Sequence, residues 1–243
     1  MSAAKTETIL VTGISNQEFL RRYAAAGRIG LSTGTTLVDR MIARAERHLD
    51  PQERWGTWSH AFLFEGERVD GQHWLIESDL QVHHKHIQLG VQENRAEKYH
   101  DESLYTTLAV LDFGLDAAQV DKVLREALDL VANRTRYSLR ELLGTLIALR
   151  RDSRAEENLL AQNQSLFCSA FVQHIFRSAG FDLMPGVNVK LTTPQDLSQS
   201  PLPHTMYLLR REVPTDKLGK LKARVKRRMG AELRLLKKRT KAS

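Results

Sequence analysis

Cys168 is the only cysteine among 243 residues, and it stands in "SLFCSAFVQHIFRSAGF", where an apolar run turns into an amphipathic pattern. Apolar residues at Phe171, Val172, Ile175, Phe176 and Ala179, with Gly180 as a stop, predict a helix. Cys168 then falls at or near its N-terminus. There the unpaired amides and the positive end of the helix dipole favour a thiolate over a thiol. A thiolate attacks carbonyl carbon. A lone cysteine is equally at home as a small buried hydrophobe, so the chemical reading needs a base.

The candidate base is His60 in "WSHAFLF", set mid-strand among large apolar residues, where an unpartnered imidazole is costly to bury. A core histidine with a satisfied hydrogen bond is the structural alternative. The stretch "TWSHAFLFEGERVDGQHWLIESDL" predicts a β-hairpin whose polar turn contains Asp70-Gly71. A turn centred between Arg68 and Val69 would pair His60 directly with Glu77. Slipping that register by two leaves them diagonal neighbours on one face, and a turn centred on Asp70-Gly71 pairs His60 with Gln81 instead. In the first two registers Glu77 can accept the imidazole N–H and fix its tautomer. That is the nucleophile, base and orienter logic of covalent catalysis.

The elements that must hold these residues read as a mixture of strands and helices. "ILVTGIS" is a hydrophobic strand, and without G-x-G-x-x-G its glycine says nothing of nucleotides. "NQEFLRRYAAAG" predicts a short helix, "RIGLST" a strand, "LVDRMIARAERHL" a helix, and "QVHHKHIQLG" and "LYTTLAVLDF" further sheet. "DAAQVDKVLREALDLVAN" and "SLRELLGTLIALRR" predict helices, "TTPQDLSQSPLP" a loop and "HTMYLLRREV" a final strand. One α+β domain over residues 1–213 followed by a tail, 214–243, is the simplest partition.

Hydrophobic content of 42% and charged content of 27% are ordinary for a globular chain that buries a sizeable core. A single cysteine permits no intrachain disulfide. "MSAAKTETILVTGISNQEFLRR" lacks the apolar run of a secretory signal, and the longest apolar stretch, "LLGTLIAL", falls far short of a membrane span. The expected location is the cytoplasm. The net charge of +7 is uneven: residues 216–243 hold 12 Lys/Arg against 2 Asp/Glu, a net of +10 that leaves the body at −3. In that tail Leu218, Leu221, Val225, Met229, Leu233 and Leu236 recur every three or four residues, the pattern of a basic amphipathic helix. It could lie on an anionic membrane surface, bind nucleic acid, or remain a solvated or self-docked helix. The absence of aromatic residues there argues against stacking on single strands. "HHKH", with His83, His84 and His86, lacks the converging partners that zinc requires, and no metal or cofactor is expected.

Four stretches in order, "GRIGLSTGTTLVDRMIA", "WSHAFLF", "HWLIES" and "LFCSAFVQHIFRSAG" followed by "TTPQDL", resemble the circularly permuted papain-like family, relatives of the NlpC-type cysteine peptidases and amidases. In that family the histidine strand precedes the cysteine helix. The resemblance covers roughly residues 27–197. It implies a permuted papain-like α+β fold, with an antiparallel sheet or small barrel packed against the nucleophile helix. It also implies Cys168 as nucleophile, His60 as general base and Glu77 as orienter. The activity implied is a cysteine-dependent hydrolase, an amidase, peptidase or acyl-hydrolase, working through a thioester acyl-enzyme on a peptide, amide or acyl-lipid substrate. Lecithin–retinol acyltransferase-like proteins share the architecture, so lipid acyl transfer at a membrane recruited by the tail is an alternative, as is a non-catalytic binding module. Tyr137 in "RYSLRELLG" resembles a family tyrosine to which no catalytic role is carried over. Arg28 departs from the family, which carries an acidic residue after the opening glycine.

Overall fold

A computed structural model describes residues 6–33, 57–83, 86–133 and 168–211. The side chains of residues 79–83 and 86–89 lie outside this description, as do the predicted helices "LVDRMIARAERHL" and "SLRELLGTLIALRR", Tyr137 and the whole basic tail. The described residues form a mixed α/β structure. In chain order the elements are β1 (Glu7–Val11), α1 (Asn16–Tyr23), β2 (Ile29–Thr33), β3 (His60–Glu67), β4 (His73–His83), β5 (His86–Arg95), a 3-10 turn (Ala96–His100), β6 (Thr107–Asp112), α2 (Ala117–Ala132), α3 (Cys168–Ser178), α4 (Pro194–Ser198) and β7 (Thr205–Arg210). The seven strands make one open sheet in the order β1-β7-β6-β2-β3-β4-β5. Only the β1–β7 pair is parallel; the other five neighbours are antiparallel.

The central strands are buried on both faces, which is why "AFLF" reads as an unbroken apolar run. Ala61, Leu63 and Ile76 join Phe171, Val172, Ile175 and Phe176 of α3 and Val123 and Ala127 of α2 in one core cluster. Phe62, Phe64 and Leu75 point the other way and join Phe19 and Leu20 of α1 with Tyr99 of the 3-10 turn. Each fully buried Phe, Leu or Ile contributes roughly 1.5–3 kcal/mol. The two faces together fix the register, because a one-residue slip would exchange every side chain between them.

Two glycines carry specific duties. Gly66, with φ of +99°, sits where the β3–β4 pairing slips by one, from Phe64↔Leu75 to Gly66↔Trp74. Gly30 lies directly under Phe62: a Cβ there would come within 2.1 Å of the ring. Phe62 in turn stacks on Tyr99, with ring centroids 4.4 Å apart. The small residue in "RIGLST" therefore makes room for an aromatic stack.

Arg28, the departure noted above, serves the sheet. It pairs with Asp112 at 2.5 Å, donates to the Tyr23 carbonyl at 3.1 Å and lies over the Tyr207 ring. The stretch expected as a loop, "TTPQDLSQSPLP", instead opens with a short helix, α4. Thr193 caps it, with Asp196 answering in a reciprocal capping box and Pro194 in the first turn. The capping chemistry was present in the sequence, but the five-residue helix is too short to show periodicity.

Gly30→Ala is expected to displace the Phe62–Tyr99 stack and lower stability by about 1–3 kcal/mol. Urea unfolding of the variant beside wild type checks this, and an unchanged midpoint would show that Phe62 can move aside.

Candidate active site

The hairpin register decides which side chains can meet. Leu63↔Ile76 and Phe64↔Leu75 are paired, so the direct His60–Glu77 pairing does not form, nor does the pairing with Gln81. Continued inward, this register puts Glu77 opposite Phe62. Glu77 is then a diagonal neighbour of His60 on the same face, within reach of a long side chain. His60 Nε2 and Glu77 Oε2 lie 2.7 Å apart. Cys168 lies near enough for its charge to act on the ring. Nε2 is engaged by the carboxylate.

The chain brings these groups together at element ends. His60 is the first residue of β3 and Cys168 the first of α3. Strand β2 lies directly beside His60, with Ser32 as its cross-strand partner. The segment resembling "TTPQDL" braces both sides. Ser169 Oγ, next to the cysteine, donates to the Thr192 carbonyl at 2.6 Å. The Thr57 amide, just before the histidine strand, donates to Gln195 Oε1 at 3.1 Å. This short stretch thus spans the gap between thiol and base.

Exposure grades along the constellation. The Glu77 side chain is 0% exposed, the His60 side chain 14%, and Cys168 is half-buried. Burial alone would push the Glu77 carboxyl up. The Lys98 charge first, and His60 after it, override burial and hold the carboxyl well below the usual carboxylate range. Burial alone would push the His60 imidazole down. Cys168 and then Glu77 override that and hold it well above an ordinary histidine. The favoured state of the ring is an imidazolium held against the Glu77 carboxylate.

Sequence reasoning missed the rest of the carboxylate's shell. Lys98 Nζ and Asn94 Nδ2 donate to Glu77 Oε1 at 2.6 and 2.7 Å, and the Tyr99 hydroxyl donates to Oε2 at 2.6 Å. Asn94 lies on β5, opposite Leu75, so strand alternation puts it on Glu77's face. Lys98 and Tyr99 come from the 3-10 turn, whose residues "AEKYH" have no periodic signature. Among the described residues no group of three or more His, Cys, Asp or Glu side chains is placed to hold a metal ion. His84 and the side chains of His83 and His86 lie outside the description. No described helix is long and apolar enough to cross a membrane.

No protein-family model and no curated protein matches the chain in sequence. In fold it is similar to a solved structure described as the metalloprotein YiiX of Escherichia coli O157:H7, DUF1105. The identity is 14% and the TM-score 0.49, over 78% of this chain and 98% of that one.

The two shifted groups set a pH window. Glu77's depressed carboxyl contributes stability that is complete above the ordinary carboxylate range and lost only as pH falls through its depressed folded value. His60's raised imidazole contributes stability that is complete below about pH 6.5 and lost as pH rises through its folded value. Glu77→Gln is expected to bring the His60 midpoint down, to flatten the alkaline loss, and to cost about 3–5 kcal/mol by breaking a buried pair. NMR titration of His60 and urea unfolding from pH 5 to 10 check both; a His60 midpoint unmoved by the substitution would contradict the assignment.

Proposed function

We propose that the protein is a cysteine-dependent acyl hydrolase with a permuted papain-like arrangement, acting on an amide, ester or thioester. The observation that carries this reading is the position of His60, between a half-exposed thiol and a fully buried carboxylate. A histidine needed only for packing has no use for both neighbours.

In this mechanism the Cys168 thiolate attacks the substrate carbonyl carbon. The carbonyl π electrons move to oxygen, and the Cys168 backbone N–H donates to the oxyanion. The His60 imidazolium gives its proton to the leaving amine, alcohol or thiol as the carbonyl re-forms, leaving a thioester on Cys168. Neutral His60 then takes a proton from water. The resulting hydroxide attacks the thioester, and Cys168 departs as thiolate while the acid is released. Glu77 keeps the ring in one orientation and stabilises its charged form through both half-reactions.

The test is intact-mass spectrometry after brief exposure to a panel of short-chain thioesters, activated esters and peptide amides. Wild type is run beside Cys168→Ala and His60→Ala. An adduct of acyl mass is expected in wild type and not in Cys168→Ala. In His60→Ala its formation should slow by ~10²-fold or more. No adduct across the panel, together with iodoacetamide labelling no faster than that of free cysteine, would reject the hydrolase and favour a binding module.

A further inference from the structure

Glu77 is held by two cationic side chains, one more than an orienting carboxylate requires. Its Oε2 faces His60 and the Tyr99 hydroxyl, and its Oε1 faces Lys98 and Asn94. The Lys98 side chain is 25% exposed and its ammonium lies 5.3 Å from the Tyr99 ring centroid, so aromatic and carboxylate hold the charge together. We infer that Lys98 is a positioning residue, the standing counter-ion of Glu77, which leaves the His60 proton free to pass to and from Cys168. This rests on reading Cys168 and His60 as nucleophile and base.

Among the described residues, the groups that meet around Glu77 and His60 include Cys168 from α3, His60 from β3, Glu77 from β4, and Lys98 with Tyr99 from the 3-10 turn; Asn94 of β5 is neutral. The charges of these groups can be counted. With Lys98 present, thiol, neutral imidazole, carboxylate and ammonium sum to zero. Thiolate, imidazolium, carboxylate and ammonium also sum to zero. Without the ammonium both proton positions would sum to −1, which leaves the sealed Glu77 carboxylate without a charge of its own to balance it. Without the ammonium, the buried carboxylate must find another positive charge or take a proton itself. Its other cationic partner among the described residues is the imidazolium. His60 would then stay protonated as Glu77's partner, and its charge, already compensated, would do less for the thiolate. It would also resist giving up its proton to become the base that deacylation needs. A carboxylate held by an ammonium orients the ring without capturing its proton.

The test uses the full-length protein with Lys98→Met, which keeps length without charge, Lys98→Gln, which keeps a donor, and Lys98→Arg, which keeps the charge. The His60 midpoint is followed by NMR titration, its resonance identified by loss in His60→Asn. Because Cys168 is the only cysteine, iodoacetamide rates are read directly from intact mass. Lys98→Met is expected to raise the His60 midpoint by about one unit and slow alkylation at pH 7 by ~10-fold. Lys98→Gln should do the same, and decides the question if Lys98→Met does not fold. Lys98→Arg should stay close to wild type. A His60 midpoint unmoved in a folded uncharged variant would overturn the counter-ion assignment. So would a Lys98→Arg protein as impaired as Lys98→Met, which would make the role one of packing. Wild-type Cys168 alkylating no faster than free cysteine would reject the nucleophile reading instead, and the His60 titration would still report on Lys98.

Discussion

A carboxylate with no exposed surface, set between sheet strands whose neighbours are aromatic and aliphatic, governs this structure. Taking an ionised carboxylate out of water costs several kcal/mol even after the protein relaxes. Glu77 offsets that cost with four donors drawn from three elements outside its own strand: His60 on β3, Asn94 on β5, and Lys98 and Tyr99 on the 3-10 turn. Each donor must arrive in register. The hairpin must slip at Gly66, and the turn after β5 must fold back over the sheet. Asn16, at the start of α1, holds that turn in place by donating to the carbonyls of Tyr99 and Tyr105 at 3.0 and 2.9 Å. Gly30 lets Phe62 lie flat beneath Tyr99. Packing on one side of the sheet is thus arranged around a single charge.

The opposite side of the sheet answers to a different demand. Helix α3 packs Phe171, Val172, Ile175 and Phe176 against Ala61, Leu63 and Ile76, which fixes where its first residue falls. Cys168 therefore arrives at the end of β3 because the helix behind it is anchored by apolar burial. Its lateral position is held by Ser169 on the Thr192 carbonyl. The imidazole comes from one face and the thiol from the end of a helix on the other, and they meet where the strand begins. Neither packing arrangement alone would bring them together.

The sequence carried the outline of this arrangement unevenly. Long periodic elements were legible: the helix after Cys168, α2, and the alternation around "HWLIES". The register was legible to within the slip of two that leaves His60 and Glu77 diagonal, because strand period preserves the face even where the turn centre is misjudged. The one-residue slip at Gly66 was not, since a bulge leaves no pattern beyond a glycine. Lys98 and Tyr99 were invisible for a related reason. In "ENRAEKYHDESL" a lysine flanked by acids reads as a solvated surface, and a 3-10 turn has no repeat to show which residue turns inward. Only the demand created by Glu77 identifies them. Asn94 was recoverable in principle, from alternation along β5, once Glu77 was taken as buried.

Exposure rises from Glu77, which is sealed, through His60, slightly exposed, to Cys168, half-exposed, while Lys98 reaches the carboxylate from a partly exposed position of its own. The carboxylate's charge is met by Lys98 as well as by the imidazole, whose Nε2 it engages. A carboxylate placed nearer the surface would be solvated and would steer the ring weakly. One placed equally deep without Lys98 would hold the ring's proton too tightly. A buried carboxylate with its own ammonium lies between these limits, which is the ground for proposing Lys98 as its counter-ion.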